Sequence, residues 1–241
     1  MKILSINGSP RGKNSNTHKM INEILSGAKS RGAEVENVFL SEMRIEYCRG
    51  CFACWLSKDG KCIIKDDMQS LIDNYTQADI LMYGTPLYTD NVSALLKTFT
   101  DRCLPTVSQY MDKDREGEYK HKENDIRIPK YVIVSNGAFP EPSQFQVVSH
   151  YFNRLARNSN TEVIAEIYRG QGQWLDLPKY SRNRIFVDDY FKLLNQVGEE
   201  IVVNGALSEE TQAKLLEPLG TYDEYVHQLS GYWQKVLNDD F

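Results

Sequence analysis

A loop rich in hydroxyl side chains follows the first apolar run of the chain. It spans residues 8–17, reads GSPRGKNSNT, and precedes a helical pattern of apolar residues that begins at Met20. A strand, a turn and a helix in this order gather backbone N–H groups at a helix N-terminus, where the helix dipole also favours an anion. The 8–17 loop therefore predicts a phosphate monoester site, and the alternative is an ordinary capped helix. The predicted phosphate ligands are Ser9, Arg11, Ser15, Asn16 and Thr17.

The 8–17 loop matches neither of two familiar phosphate-binding patterns. A Walker loop needs G-x4-G-K-[ST], whereas Gly8 and Gly12 are one residue too close and Asn14 follows Lys13. A dinucleotide fingerprint needs G-x-G-x-x-G, which is absent here. A loop that relies on hydroxyls suits a terminal phosphate, and Arg11 adds a charge-assisted contact.

Two further strand ends carry small or polar residues. Residues 85–91 read TPLYTDN, so that a proline ends the strand and an aromatic residue follows. Backbone groups of Pro86, Leu87 and Tyr88 can hydrogen-bond a flat heterocycle, on which the Tyr88 ring can stack. The alternative is a proline-terminated turn with a solvent-exposed tyrosine. Tyr88 and Asn91 are expected to shape the face of the ring, and a later strand ends in Ser135, Asn136 and Gly137.

Four of the five cysteines are closely spaced. Cys48, Cys51, Cys54 and Cys62 form C-x2-C-x2-C-x7-C and are the predicted metal ligands. Such thiolates can hold a [4Fe–4S] cluster or zinc, and thiols without a metal are the third interpretation. Seven residues separate Cys54 from Cys62, whereas three separate the last two cysteines of the two-cluster ferredoxin motif. The cysteine spacing is therefore not that of a two-cluster ferredoxin.

The motifs after the first and third strands resemble those of the NAD(P)H-dependent FMN reductases. They are GSPR followed by SNT, and TPLY followed by LLKTFTDR, and the resemblance covers residues 1–170. It implies a flavodoxin-like fold that binds FMN, with the phosphate at residues 9–17, the isoalloxazine against residues 86–91 and further contact from residues 135–137. The cysteine spacing is similar to that of the iron–sulfur flavoproteins, which keep a cluster within electron-transfer reach of the flavin. The resemblance also implies a homodimer or homotetramer.

Alternating strand and helix patterns predict an α/β fold. Strands are expected over residues 2–7, 34–40, 79–84, 131–135 and 162–167, with helices between them. This order predicts a doubly wound, parallel five-stranded sheet of order 2-1-3-4-5 with helices on both faces and a ligand at the strand ends. Residues 1–170 form the predicted FMN-binding domain, and residues 171–241 a C-terminal helical extension packed on the same domain.

Two segments lie outside this predicted core. Residues 104–128 are polar and charged, which predicts a solvated excursion, with a flap over the ligand or an oligomer contact as alternatives. Helical patterns over residues 187–203 and 221–237 carry apolar stripes. These stripes are expected to dock on the core or, alternatively, to form a dimer interface.

Composition and the remaining residue patterns argue against several classes of function. A net charge of −5 and a pI near 5.5 argue against nucleic-acid or anionic membrane surfaces. The chain begins directly with a strand pattern and has no long apolar run, so a cytoplasmic protein is expected. The four histidines have no metal-ligand spacing, and no nucleophile–base arrangement is legible.

These observations and the resemblance together favour an FMN-dependent NAD(P)H oxidoreductase that passes hydride to a quinone, a nitro compound or another acceptor. Since the cofactor would carry the chemistry, no side chain is assigned as a catalytic acid or base. One alternative is an iron–sulfur flavoprotein that carries electrons between redox proteins. The other is a non-redox module that binds a phosphorylated ligand.

Overall fold

The computed structural model describes residues 1–238 and is built on a parallel five-stranded sheet. The strands along the chain are β1 (Lys2–Asn7), β2 (Glu34–Phe39), β3 (Ile80–Pro86), β4 (Met111–Lys113), β5 (Tyr119–His121), β6 (Lys130–Asn136) and β7 (Val163–Arg169). The sheet order is β2-β1-β3-β6-β7, while β4 and β5 form a separate antiparallel hairpin. Counted without the hairpin, the strands follow the predicted order 2-1-3-4-5, and the flavodoxin-like fold class is confirmed.

Helices cover both faces of the sheet. They are α1 (Asn16–Ser30), α2 (Ala53–Leu56), α3 (Met68–Gln77), α4 (Ala94–Asp101), α5 (Gln146–Asn158), α6 (Arg184–Asn204), α7 (Glu209–Leu216) and α8 (Tyr222–Asn238). One apolar core includes residues of α1 and α6, and the other includes residues of α3, α4 and α5. Because both faces are covered, β3 is buried along its whole length and reads as an apolar run. Within residues 1–238, every helix is too short or too polar to cross a bilayer.

Helix α6, the first long helix after the sheet, packs closely on α1, the helix that follows the 8–17 loop. A Cβ atom on Gly27 would lie 1.8 Å from the Asn195 carbonyl oxygen, and one on Gly198 would lie 1.9 Å from the Ile24 carbonyl oxygen. The Asn195 side chain also donates a hydrogen bond to the Glu23 carbonyl oxygen at 3.3 Å. Two glycines thus allow the helix backbones to touch, and α1 is held between the sheet and α6.

The polar segment 104–128 is more ordered than an irregular excursion. It contains the β4–β5 hairpin, which lies against α5 through an ion pair between Arg157 and Asp114 and another between Arg154 and Glu118 at 2.8 Å. Asn160 also donates a hydrogen bond to the His121 carbonyl oxygen at 2.9 Å. The sequence pattern did not predict the hairpin or α2, which are too short to show a clear periodicity. It also did not predict α7, whose buried residues are Thr211 and Leu215 and therefore form no apolar stripe.

Candidate functional site

Three loops are joined where β1, β3 and β6 end. The Gly8 N–H donates to the Gly84 carbonyl oxygen at 2.8 Å, and the Ser93 hydroxyl donates to the Gly8 carbonyl oxygen at 2.6 Å. The Leu87 N–H donates to the Asn136 carbonyl oxygen at 2.8 Å. These bonds bring the 8–17 loop, the 86–91 turn and the 135–137 loop to one edge of the sheet, where parallel α/β folds bind ligands.

The 8–17 loop wraps around the N-terminus of α1. Ser15 is the N-cap, since its hydroxyl accepts from the His18 N–H at 3.0 Å and donates to the Gly12 carbonyl oxygen at 2.7 Å. Gly12 has a φ of +51°, a turn conformation that favours glycine. Burial and the nearby Lys13 charge lower the pKa of His18. The Ser15 side chain is therefore engaged in capping, and the remaining first-turn N–H groups are the donors that such a helix offers to an anion.

Two hydroxyls and one guanidinium in this loop remain able to donate. The Ser9 hydroxyl accepts from the Arg11 N–H at 3.3 Å, and the Thr17 hydroxyl accepts from the Asn136 side chain at 2.8 Å. A hydroxyl that accepts one bond still has its own proton to donate. Ser9, Thr17 and the half-exposed Arg11 side chain are therefore the side-chain donors best placed to bind a phosphate.

The Asn16 side chain has a different partner from the one that the sequence suggests. Its Nδ2 group donates to the Gly172 carbonyl oxygen at 2.7 Å, which ties the 8–17 loop to the loop after β7. Its Oδ1 atom is buried without a partner within the described residues, as are Asn7 Nδ2 and Ser135 Oγ at the ends of β1 and β6. Buried polar atoms without partners are uncommon in folded proteins, and the presence of these three where the loops meet is consistent with a polar ligand.

The charges around the 8–17 loop are unevenly distributed. Lys13 lies 3.7 Å from Glu42, which directs it toward the loop after β2. Arg11 and Lys19 instead share one carboxylate: Arg11 Nη2 lies 3.8 Å from Asp176 Oδ2, and Lys19 Nζ donates to Asp176 Oδ1. Asp176 was not among the predicted site residues, because it lies far along the chain in a segment with no recognisable motif.

The 86–91 turn presents an aromatic ring. The backbones of Tyr88 and Asn91 are paired by two hydrogen bonds of 3.0 and 3.1 Å, and Asn91 Oδ1 accepts from the Val92 N–H at 2.8 Å. Between them, Thr89 and Asp90 have φ values of 49° and 59°, which are unusual for residues other than glycine. The tight turn leaves the Tyr88 side chain 47% exposed, so that its ring is available for stacking.

The 135–137 loop is already engaged in protein contacts. The Gly137 N–H donates to the Arg169 carbonyl oxygen at 3.0 Å, and the Gly137 carbonyl oxygen accepts from the Gly172 N–H at 2.8 Å. The Tyr225 hydroxyl of α8 donates to the Ala138 carbonyl oxygen at 2.6 Å. The backbone of this loop is therefore engaged in supporting the site, to which the C-terminal segment contributes, while Ser135 Oγ has no partner within the described residues.

The four clustered cysteines lie between β2 and α3 in what we call the cysteine loop, residues 46–66. All are free thiols; Cys51 is exposed, and Cys48, Cys54 and Cys62 are partly buried. Burial and the nearby Cys62 and Cys48 thiols raise the pKa of Cys54, so these three thiols share one region. Within residues 1–238, no group of three or more His, Cys, Asp or Glu side chains is arranged to hold a metal ion. The four soft donors nevertheless suit iron or zinc in kind.

A buried ion pair closes the base of the cysteine loop. The side chains of Arg102 and Asp66 are 2% and 1% exposed and are joined by two hydrogen bonds of 2.7 and 3.0 Å. Arg102 also donates to the Glu46 carbonyl oxygen at 2.6 Å. Its guanidinium lies beside Cys62. The buried Nε group of Arg102 has no partner within the described residues. Although burial opposes it, hydrogen bonding from Arg102 and from backbone N–H groups lowers the pKa of Asp66.

The polar segment 104–128 is hydrogen-bonded to the cysteine loop. Trp55 Nε1 donates to the carbonyl oxygens of Leu104 and Val107 at 3.2 and 3.0 Å, at the start of this segment. The cysteine loop therefore meets the C-terminal end of α4, whereas Ser93 at its N-terminal end contacts the 8–17 loop. An eight-residue helix is about 12 Å long, so α4 connects the cysteine loop to the candidate ligand site.

Solved structures with the same fold include an FMN-dependent NADH-azoreductase from Bacillus anthracis in complex with FMN. It is 13% identical, with a TM-score of 0.60, over 83% of this chain and 99% of that one. An NAD(P)H:quinone oxidoreductase from Methanothermobacter marburgensis is 14% identical, with a TM-score of 0.57, over 83% and 95% of the two chains. At these identities the similarity shows a shared fold.

Sequence comparison places the chain in a family. It is 43% identical over 109 residues to an iron–sulfur flavoprotein of Methanocaldococcus jannaschii, which covers 45% of this chain and 54% of that protein. The chain thus spans about half the length of the curated relatives it matches. The model of the NADPH-dependent FMN reductase family matches residues 1–122, half of the chain. The chain therefore belongs to the NADPH-dependent FMN reductase family.

Proposed function

We propose that the chain binds FMN at the three joined loops and transfers electrons from NAD(P)H to a quinone, a nitro compound or another acceptor. The observation that carries this proposal is the set of free donors at the N-terminus of α1, namely Ser9, Arg11 and Thr17. A half-exposed aromatic ring, Tyr88, lies on an adjoining loop. These groups fit a phosphate monoester joined to a flat ring, and the family description supports the same cofactor.

The cofactor and the side chains would have different roles in the reaction. When bound, FMN would supply the chemistry, since it accepts hydride from a nicotinamide and returns electrons to an acceptor. The 8–17 loop would hold the phosphate through Ser9, Thr17 and the first-turn N–H groups of α1. Tyr88 would orient the ring by stacking and would exclude water from one face. No side chain is given a proton-transfer role.

Titration with FMN and with riboflavin tests this proposal, because the two ligands share the ring and differ in the phosphate. Thr17→Val removes a hydroxyl donor and leaves the Asn136 amide without its acceptor. A hydrogen bond to a charged group contributes about 1.5–3 kcal/mol, so FMN binding is expected to weaken about 10- to 150-fold. Riboflavin binding should change little. Thr17→Ser retains the hydroxyl and is the matched control, with nearly unchanged FMN affinity.

Arg11→Ala provides a second, weaker perturbation. The Arg11 side chain is 56% exposed, and exposed charge pairs contribute about 0.2–1 kcal/mol, so FMN binding is expected to weaken about two- to fivefold. Unchanged FMN affinity in both Thr17→Val and Arg11→Ala would contradict the phosphate assignment. A wild-type protein that takes up no FMN would favour the non-redox, phosphate-binding alternative.

The acceptor and the assembly are further parts of the proposal. We propose that the acceptor is a small molecule or a redox protein. Steady-state assays with quinones, nitro compounds and azo dyes show which small molecules the protein reduces. We also propose a homodimer or homotetramer, consistent with exposed apolar side chains on α8 such as Tyr232, Trp233 and Leu237. Light scattering after size-exclusion chromatography measures the assembly directly, and a monomer would contradict this part.

A second candidate function is electron carriage by an iron–sulfur cluster on Cys48, Cys51, Cys54 and Cys62. Two observations favour it: four thiols occupy one loop, and the buried Arg102 cation lies beside Cys62. Such a cluster would add single-electron transfer. A visible spectrum of protein purified without oxygen, with iron and acid-labile sulfide assays, tests it. About four irons per chain would support a cubic cluster, whereas flavin bands without iron would contradict it.

A further inference from the structure

Asp176 pairs with two cations of the 8–17 loop and the start of α1, Arg11 and Lys19. Its Oδ2 atom lies 3.8 Å from Arg11 Nη2, and its Oδ1 atom accepts a hydrogen bond from Lys19 Nζ. The exposed fractions of the three side chains are 52% for Asp176, 56% for Arg11 and 32% for Lys19. One carboxylate thus offsets one of the two positive charges on Arg11 and Lys19.

The position of Asp176 is fixed by the fold. It ends a 3-10 segment, Gly172–Asp176, whose Trp174 and Leu175 side chains are 3% and 0% exposed. The start of this segment is tied to α1 by the 2.7 Å hydrogen bond from the Asn16 side chain to the Gly172 carbonyl oxygen. Because both the segment and α1 are anchored, the backbone of Asp176 is held beside α1 and its carboxylate stays within reach of both cations.

The geometry of the two contacts differs. The Lys19 contact is a direct hydrogen bond, whereas the Arg11 contact at 3.8 Å is longer than a hydrogen bond. The Arg11 side chain is therefore free to turn toward a phosphate, while the negative charge of Asp176 remains beside it. A phosphate monoester carries about −1.5 to −2 charges at neutral pH, so the two anions repel each other.

We propose that Asp176 is a specificity-determining residue that weakens the binding of phosphate dianions at this site. It competes with the ligand phosphate for Arg11 and Lys19 and so reduces the preference for a phosphorylated over an unphosphorylated flavin. This inference rests on the proposed FMN site. Its consequence is a flavin that is held less tightly and exchanges more readily than the loop donors alone would allow.

The test is a titration of Asp176→Asn with FMN and with riboflavin as probes. Removal of one half-exposed charge is expected to tighten FMN binding about two- to fivefold and to leave riboflavin binding unchanged. The gain should shrink as the ionic strength rises, because salt screens exposed charges. Asp176→Ser removes the carboxylate without introducing an amide and should show the same direction.

Asp188→Asn is the matched control. Asp188 is paired with Arg184 on α6 and is half exposed, so its replacement changes the net charge equally without altering the 8–17 loop. FMN binding that is unchanged or weaker in both Asp176 variants would overturn the inference, as would an equal gain for riboflavin. Failure of the wild-type protein to bind FMN would instead refute the proposed function, and the inference with it.

Discussion

Replacement of Asp66 by asparagine breaks the buried ion pair at the base of the cysteine loop. The carboxylate accepts two hydrogen bonds from Arg102 and one each from the backbone N–H groups of Glu46 and Met68. Asparagine has one acceptor oxygen, so its NH2 group must face some of these donors. Because the Arg102 cation stays buried without its counter-charge, the free energy of unfolding is expected to fall by about 3–5 kcal/mol.

The expected change in melting temperature follows from the size of the chain. For about 240 residues, 1 kcal/mol shifts the melting temperature by roughly 2–4 °C, so Asp66→Asn is expected to lower it by about 6–20 °C. The neighbouring Asp67 is the matched control: it is exposed and accepts from the Arg44 N–H at 2.8 Å. Asp67→Asn is expected to cost about 1 kcal/mol or less. Calorimetry of both variants, with limited trypsin digestion of the cysteine loop, measures the difference.

The pH dependence provides an independent check. The pKa of Asp66 is lower in the folded state than in the unfolded state, so its contribution is present above the unfolded pKa and is lost as the pH falls through the folded one. The stability difference between the wild type and Asp66→Asn should therefore shrink below about pH 4. A melting temperature no lower than that of Asp67→Asn, or a difference that is constant with pH, would refute the reasoning.

Three further predictions concern other parts of the molecule. Tyr88→Ala should weaken FMN and riboflavin binding equally, about two- to tenfold, through loss of stacking; fluorescence titration measures this, and a change confined to FMN would contradict it. Gly198→Ala should lower the melting temperature sharply, because its Cβ would lie 1.9 Å from the Ile24 carbonyl oxygen. Gly231→Ala in α8 is the control: its Cβ meets open space, so it should stabilise the helix by about 0.5–1 kcal/mol. Trp55→Phe removes the indole donor that holds the cysteine loop and should speed its proteolysis roughly fivefold, a rate equal to the wild type being the contrary result.

The sheet could be predicted from the sequence because its central strands are buried on both faces. β3 and β6 therefore read as apolar runs, and Pro86 and Asn136 mark their ends. The order of strands and helices was then enough to predict that the 8–17, 86–91 and 135–137 loops lie at one edge of the sheet. That prediction did not depend on side-chain contacts. The β4–β5 hairpin gave no such signal, since its strands have three residues each and are largely exposed.

The use of individual side chains in the candidate site could not be predicted in the same way. Asn16 and Thr17 are equally polar neighbours, yet Asn16 donates to Gly172 and Thr17 accepts from Asn136, partners that lie 156 and 119 positions away. The Asp176 contacts likewise depend on how the segment after β7 returns to α1. Residue types predicted a phosphate loop, but only the tertiary contacts separate its free donors from its structural ones.

The contact of α1 with α6 also bears on how the chain reaches its fold. The hydrogen bond from Asn195 to the Glu23 carbonyl oxygen joins residues 172 positions apart, which is a long loop to close. During synthesis, the first helix would be complete long before the helix that covers its outer face has left the ribosome. The N-terminal half must therefore keep an apolar helix surface uncovered until the last third of the chain arrives, which makes that interval the stage at which a chaperone would be of most use.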